Sequence, residues 1–378
     1  MPASASVASI YDQVLEFIDS PDPAAFEPLA IEIYRYQFEN VPPYRAYCTA
    51  RGAVPDKVRT VATIPAVSTV AFKYARTESQ KEPASAAARL FLTSGTTIGK
   101  NERGRHVVLR PAVYRASALG HLRRMMFPDG RRTAMLALHP TADRMPESSL
   151  SQMISWCLDE FGGGAAMCAA TPRAVDTSAA IGFLREIARG QTPITMLGTT
   201  ASFAALFAAM SAGGITIELP AASRLMDTGG AKGQAVPLSA AEMAAEARQR
   251  LGIDPAMAIN EYGMTEMCSQ LYDATSFNSD YDALPGSRIK LAPPWLRATA
   301  LDPVTLEPVR QGEVGLLTFF DLANVGSVSA LMTEDFGAVI GDGVAIIGRA
   351  AGDSRGCALA IEEFRSRDHA NAAGHPTA

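Results

Sequence analysis

Leu90-Phe91-Leu92-Thr93-Ser94-Gly95-Thr96-Thr97-Ile98-Gly99-Lys100 reads as an apolar strand that runs directly into a loop of hydroxyls and glycines closed by a lysine. Such a loop offers backbone N–H groups and Ser/Thr hydroxyls to phosphate oxygens, and Lys100 can neutralise charge. It is not the phosphate loop of the usual nucleoside triphosphatases. Only three residues, Thr96 to Ile98, separate Gly95 from Gly99-Lys100, where that motif needs four. On these residues alone the stretch is either a triphosphate cradle or an ordinary Thr/Ser/Gly turn.

Outward from this loop, short apolar runs alternate with amphipathic segments as far as about residue 266. The pattern predicts strands over 134–138, 194–197, 215–219 and 224–226, and helices over 114–126, 150–161, 179–188, 202–210 and 238–251. That alternation is the signature of an α/β sheet covered by helices. Upstream, helices are predicted over 7–18 and 28–38, the second ending before Val41-Pro42-Pro43, read as hostile to helix. After Pro293 the rhythm turns to β, with strands at 296–301, 315–320, 327–332 and 344–347. Turns at Asp302-Pro303 and Gly341-Asp342-Gly343 punctuate them. The expected organisation is a helical segment (1–87), an α/β subdomain (88–292), a small β-rich subdomain that closes the site (293–364) and a disordered tail (365–378). No internal repeat is visible.

The 378 residues are 48% hydrophobic and 19% charged, enough to bury a substantial core. A net charge of −5 leaves no electrostatic footprint for a polyanion, so no nucleic-acid partner is expected. Cys48, Cys157, Cys168, Cys268 and Cys357 are odd in number and lack C-x-x-C spacing, which argues against a disulfide framework or a structural zinc and for the cytoplasm. The N-terminus lacks the basic and apolar regions of a secretory signal. The uncharged stretch 191–217 is long enough to span a bilayer. Pro193, Gly198, Gly213 and Gly214 instead divide it into a buried strand, helix and strand, so no membrane span is expected.

Three further clusters carry chemistry. Asn260-Glu261-Tyr262-Gly263-Met264-Thr265-Glu266 follows an apolar strand predicted over 256–259, and ligands bind at the carboxyl ends of strands in open α/β sheets. There Tyr262 can stack on a base, Thr265 can bond a phosphate and Glu266 can hold Mg²⁺; a strand end with a solvated Glu is the alternative. Asp227-Thr228-Gly229-Gly230-Ala231-Lys232-Gly233 also sits past an apolar strand, where glycine lets backbone approach a flat ligand. Thr333-Glu334-Asp335-Phe336-Gly337 is followed by Gly348-Arg349, a carboxylate and a guanidinium suited to ribose hydroxyls. Each is also compatible with a plain turn.

Taken together in this order, from about Phe91 to Cys357, the four clusters resemble the acyl-adenylate-forming superfamily of acyl-CoA synthetases and adenylation domains. Within it they are most similar to the acyl-protein synthetases, which border on phenylacetate-CoA ligases. The resemblance implies a large adenylation core with helix-covered sheets and a small β subdomain, using ATP and Mg²⁺. It assigns Thr93, Ser94, Gly95, Thr96, Thr97, Gly99 and Lys100 to the phosphate loop. Gly229 and Gly230 fall to the adenine side, and Tyr262, Gly263, Met264, Thr265 and Glu266 to the adenine, phosphate and magnesium motif. Asp335 and Arg349 become the ribose pair. Thr96, Lys100 and Thr265 are implied in catalysis, and Glu266 as the metal ligand. Ile98 stands where many relatives have Gly. His139-Pro140, with Glu147-Ser148-Ser149-Leu150 beyond, looks family-like, so His139 and Gly230 are candidates for the acyl pocket; a satisfied structural role for His139 stays open.

Larger superfamily members carry a mobile C-terminal domain after the arginine that Arg349 matches. Only 29 residues follow Arg349 here, so that domain and its lysine are expected to be missing, as in acyl-protein synthetases. The implied reaction is activation of a carboxylic acid, fatty or aryl, as its acyl-adenylate, followed by transfer to an acceptor thiol. Cys357, beside Arg355, is the candidate nucleophile; a small buried residue is its alternative. An acyl-CoA or amide-forming ligase and a non-catalytic nucleotide-binding scaffold remain open as competing functions. The particular acid, the acceptor and the oligomeric state are not legible.

Overall fold

A computed structural model describes residues 7–81, 86–93, 103–229, 238–275, 277 and 289–349. Helices α1 (Val7–Asp19), α2 (Pro23–Asn40) and α3 (Pro42–Ala50) precede a short strand β1 (Val67–Ser68) and the antiparallel pair β2 (Arg89–Leu92) and β3 (Arg105–Val108). Helices and strands then alternate: α4 (Pro111–Met126), β4 (Thr133–Ala137), α5 (Ser149–Phe161), β5 (Gly162–Cys168), α6 (Thr177–Ile187), β6 (Ile194–Thr199), α7 (Thr200–Ala212), β7 (Arg224–Thr228), α8 (Ala240–Leu251) and β8 (Ala258–Tyr262). Strands β9 (Leu271–Asp273), β10 (Ile289–Leu291), β11 (Leu296–Leu301), β12 (Val314–Asp321), β13 (Ala330–Ile340) and β14 (Gly343–Arg349) complete the described chain.

Contacts group the chain into two compact units. The first holds the described residues up to 118, Met264–Ser269 and those from 292 onward; the second holds Leu119–Gly263 and Gln270–Leu291.

In the second unit β5, β4, β6, β7 and β8 pair in that order, all parallel, and β9 and β10 follow antiparallel. Parallel strands need both faces covered, and β4, β6 and β7 are buried at nearly every position, the polar ones included. Phe203, Leu206, Phe207 and Met210 of α7 pack with Leu136, Met196 and Leu225 from these strands in one buried cluster. Side chains of this size each contribute about 1.5–3 kcal/mol when fully buried. Helix α8 is started by a capping box, Ser239 with Glu242, and stopped by Gly252 at φ +66°. At the amino end of β7, the fully buried Arg224 holds Asp129 with both guanidinium arms, at 3.2 and 2.8 Å.

In the first unit β11, β12, β13 and β14 form an antiparallel sheet, with β1 parallel to β13. The amino-terminal helices are fastened to it. Buried Gln37 of α2 donates to the carbonyls of Asn324 and Val325 and to Ser329 Oγ, and accepts from Ser329 N. Trp295 is fully buried and donates from Nε1 to Ser117 Oγ at 2.7 Å. Phe26 meets Phe320 edge-on and carries Arg297 over its face.

The structure corrects four sequence expectations. The segment 215–219 is not a strand: its Ile217 and Leu219 amides donate to the carbonyls of Arg250 and Leu251 at the end of α8, so it has no ladder to join. Helix α2 begins at Pro23, capped by Asp22, and carries Pro28 inside it, five residues earlier than the predicted start. Val41-Pro42-Pro43 ends one helix but opens the next, because proline fits the first helical turn, where its missing N–H costs nothing. Residues 255–257 form a 3₁₀ turn, so β8 begins at Ala258 and runs on to Tyr262. The stretch 191–217 holds β6 and α7, and among the described residues no helix is long and apolar enough to cross a membrane. The expected tail 365–378 lies outside the described residues.

Candidate functional site

In the second unit, four parallel strands deliver chemistry at their carboxyl ends, where open α/β sheets bind ligands. Beyond β4 comes His139, at the end of β6 Thr199 with Thr200 next to it, beyond β7 Gly229, and at the end of β8 Glu261 and Tyr262. Gly229 has φ +90°, a conformation that favours glycine, so the chain turns sharply just past Thr228. Thr200 Oγ1 holds that turn, within reach of Asp227 Oδ2 at 2.7 Å and the Gly229 carbonyl at 2.9 Å. Thr228 Oγ1 donates to the buried carboxyl of Glu261. A Cβ on Gly263 would collide with Glu261 Oε1, so a side chain there would have to displace this carboxyl. Burial pushes the Glu261 carboxyl up to about 7, against the Thr228 bond and the charge of Lys290, which pull it down.

Behind these strand ends lies a charged ladder. Lys290 Nζ donates to Asp273 Oδ1 at 2.8 Å, Asn260 Oδ1 at 2.7 Å and the Asn260 carbonyl at 3.0 Å. Asn260 Nδ2 reaches Asp227 Oδ2 at 3.0 Å, and Asp273 Oδ2 accepts from Asn260 N at 3.0 Å. Strands β7, β8, β9 and β10 are thus pinned to one another by buried side chains. His139 is half-buried, its Nε2 has no hydrogen-bond partner among the described residues, and burial lowers its pKa to about 4, so the ring is neutral at pH 7.

In the first unit, β2 and β3 bring the two described ends of the phosphate-loop candidate together. Thr93 N donates to the Gly104 carbonyl at 2.9 Å, and Gly104 N donates back to Thr93 Oγ1 at 2.8 Å. A side chain on Gly104 would press on Thr93 Cγ2 at 2.9 Å. Arg103 ties the same corner through the Thr93 carbonyl at 2.6 Å. Ser94, Gly95, Thr96, Thr97, Gly99 and Lys100 lie outside the described residues, as do Gly230 and Cys357.

Met264, Thr265 and Glu266 form a turn in this unit, with Met267 N donating to the Met264 carbonyl. Two side chains hold the turn from behind. His106 Nδ1 lies 2.6 Å from the Thr265 carbonyl, and Asn324 Nδ2 donates to the Glu266 carbonyl at 3.0 Å and the Val328 carbonyl at 2.9 Å. His106 Nε2 is 3.0 Å from Asn324 Oδ1, and Phe72 packs edge-on against the ring. A carbonyl only accepts, so Nδ1 carries a proton. Burial pulls the ring below the usual histidine range; both hydrogen bonds and the charge of Glu78 oppose that pull. Next along the chain, Asp321 accepts from Cys268 N, Ser269 Oγ and Ala323 N, while burial pushes its carboxyl up to about 6.

Asp335 and Arg349 are cross-strand partners in the register of β13 and β14. Thr333 Oγ1 accepts from Asp335 N and donates to the Leu317 carbonyl, so the backbone that carries Asp335 is fixed. Among the described residues no group of three or more His, Cys, Asp or Glu side chains could cage a metal. Mg²⁺ bound with a nucleotide takes one or two carboxylates plus phosphate oxygens, and Glu266 offers one such carboxylate.

Sequence reading missed the supports more than the motifs. Lys290 between Ile289 and Leu291, and Asn260 inside β8, are polar residues in apolar strands, which is the signal of a buried partner. The hold of His106 and Asn324 left no comparable trace.

The fold is that of an acyl-adenylate-forming ligase core. Over 92% of its length the chain superposes, with TM-score 0.62 and 16% identity, on 76% of an open conformation of 2-hydroxyisobutyryl-CoA ligase in complex with 2-HIB-AMP and CoA. The family model described as acyl-protein synthetase, LuxE, matches residues 24–365, and the chain belongs to that family. It is 46% identical over 50 residues to a long-chain-fatty-acid–luciferin-component ligase of Aliivibrio fischeri, a match covering 13% of this chain and 13% of the relative. To the protein of the same name from Vibrio harveyi it is 37% identical over 79 residues, covering 19% of this chain and 21% of the relative. The matched stretches are therefore far shorter than either relative.

Proposed function

We propose that this protein activates a carboxylic acid as its acyl-adenylate with ATP and passes the acyl group to a thiol. A carboxylate oxygen attacks the α-phosphorus of ATP, the bond to the β-phosphate oxygen breaks, and pyrophosphate leaves. The thiolate then attacks the acyl carbon and AMP departs. The observation that best supports this reading is the register of Asp335 with Arg349, the two positions that the family likeness assigns to one ribose.

In this reading Tyr262 and Gly229 with Gly230 flank the adenine, and the loop Thr93 to Lys100 takes the phosphates. Thr265 bonds the α-phosphate and Glu266 holds Mg²⁺, which when bound neutralises phosphate charge. Most of the acceleration then comes from holding the acid and the α-phosphate in line and from fixed donors at the developing charge. His139, neutral and short of one partner, borders the acyl side. Both relatives are named for long-chain fatty acids, which makes such acids the first substrates to try.

The family likeness puts the acceptor thiol at Cys357 or on a partner protein. Burial raises the thiols of Cys48, to about 12, and of Cys157 and Cys268, which removes them as thiolates at neutral pH. Incubation with ATP, Mg²⁺ and a long-chain acid, followed by mass spectrometry, tests the reading. Acyl-AMP together with an acyl group on Cys357 is expected. Acyl-AMP that reacts only with added CoA or amine would move the protein to the other ligase classes. An unmodified Cys357, with turnover intact in Cys357→Ala, removes it from the mechanism.

A further inference from the structure

We infer that His106 and Asn324 are positioning residues for the adenylation chemistry, acting as a two-point clamp on the carbonyls of Thr265 and Glu266. The inference rests on the proposed function for its catalytic consequence. The clamp itself stands on geometry within one unit.

Thr265 and Glu266 sit in a turn, not in a strand, so no sheet ladder fixes their backbone. Their carbonyls are instead taken up from behind by side chains distant in sequence. His106 comes from β3, at 2.6 Å from the Thr265 carbonyl, and Asn324 from the segment after β12, at 3.0 Å from the Glu266 carbonyl. The two clamp residues also touch each other, 3.0 Å apart, and both are almost fully buried. Asn324 is in turn held from a third direction, because Gln37 Nε2 of α2 donates to its carbonyl at 3.0 Å. A buried side chain locked on several sides transmits its position to what it grips. Occupying the carbonyls behind the turn fixes the planes of the two peptides that follow Thr265 and Glu266, and with them the directions in which the Thr265 hydroxyl and the Glu266 carboxylate leave the backbone.

His106 has a second position-setting link. Strand β3 pairs with β2 so that Leu92 faces Arg105, next to the Thr93–Gly104 closure of the loop assigned to the phosphates. The residue that grips the Thr265 carbonyl therefore stands two positions from the closure of that loop. A single short strand sets the register between the two phosphate-contacting segments.

The test uses three variants with two readouts. Asparagine places an amide N–H near His106 Nδ1, glutamine places one near Nε2, and leucine has neither. In acid-dependent ATP–pyrophosphate exchange, His106→Leu and His106→Gln are expected to lose about 100-fold in kcat, the scale of a misplacement of about 1 Å. Their KM for the acid should change by less than about threefold, and His106→Asn should recover to within about tenfold of the parent. Independently of activity, hydrogen exchange of the amides of 265–268 should quicken at least about tenfold in the leucine and glutamine variants and stay near the parent rate in the asparagine variant. Equal protection of this segment in parent, leucine and glutamine chains overturns the clamp, as does an undiminished kcat in both. Should the leucine chain fail to fold, the glutamine and asparagine pair decides. A parent chain without exchange toward any acid defeats the proposed function instead, and hydrogen exchange then judges the clamp alone.

Discussion

The turn Thr265–Glu266 and the strand ends Asp227–Gly229 and Asn260–Tyr262 are supported in opposite ways. The turn is gripped by one imidazole and one amide, His106 and Asn324. The strand ends are braced by a buried cation and carboxylates, Lys290 with Asp273 and Asp227. A clamp of one amide and one imidazole yields when one bond is lost. A charged ladder is costly to bury, and removing one partner leaves an unpaired charge, so it acts as an all-or-none brace.

Breaking the ladder should have the largest effect on stability. Lys290→Met strands the Asp273 carboxylate and is expected to cost about 3–5 kcal/mol in urea unfolding. Adding Asp273→Asn, which still accepts from Asn260 N, should restore roughly half of that. A single variant that unfolds like the parent would show that the ladder is not a brace.

Glu261 sharpens the comparison through pH. Its folded pKa, about 7, lies above the ordinary carboxyl value of 4.5, so the folded chain keeps a proton that the unfolded chain releases. Its contribution to stability is fully present below about pH 4.5 and is lost as pH rises through about 7, a loss of about 3 kcal/mol. Asp321, raised to about 6, adds a loss of the same sign at lower pH. Glu261→Gln should flatten the upper part of this dependence in denaturation series across pH 5–8; an unchanged slope would mean that Glu261 titrates normally.

Asn324→Ala removes two donors from buried carbonyls and should cost about 2–3 kcal/mol, less than the ladder because no charge is left behind. The smallest effect belongs to a pair in which one partner is exposed. Arg76, 73% exposed at the side chain, bridges Glu78 at 2.8 Å, and Arg76→Ala should shift stability by less than about 1 kcal/mol. A larger shift would mean that surface charges do more here than the buried supports suggest.

Much of the fold was legible because burial on both faces leaves its mark on composition. Strands β4, β6 and β7 show through short apolar stretches at their centres, and α4, α5, α6 and α8 appear as periodic segments within a few residues of their observed ends. The failures have local causes. Ile217 and Leu219 look like a strand, but their amides are taken by the end of α8. Strand β5 opens with Gly162-Gly163-Gly164, which carries no side-chain signal. The pairing of Asp335 with Arg349 fits the family resemblance, yet nothing near Asn324 in sequence points to Glu266. Such contacts are chosen by the fold, not by neighbours along the chain.

Acid-dependent exchange of labelled pyrophosphate into ATP measures directly whether this chain makes an acyl-adenylate. Exchange is expected with a long-chain fatty acid and Mg²⁺, with loss of about 100-fold or more when Glu266→Gln removes the carboxylate assigned to the metal. No exchange with any fatty or aryl acid, from a folded chain, would contradict the account.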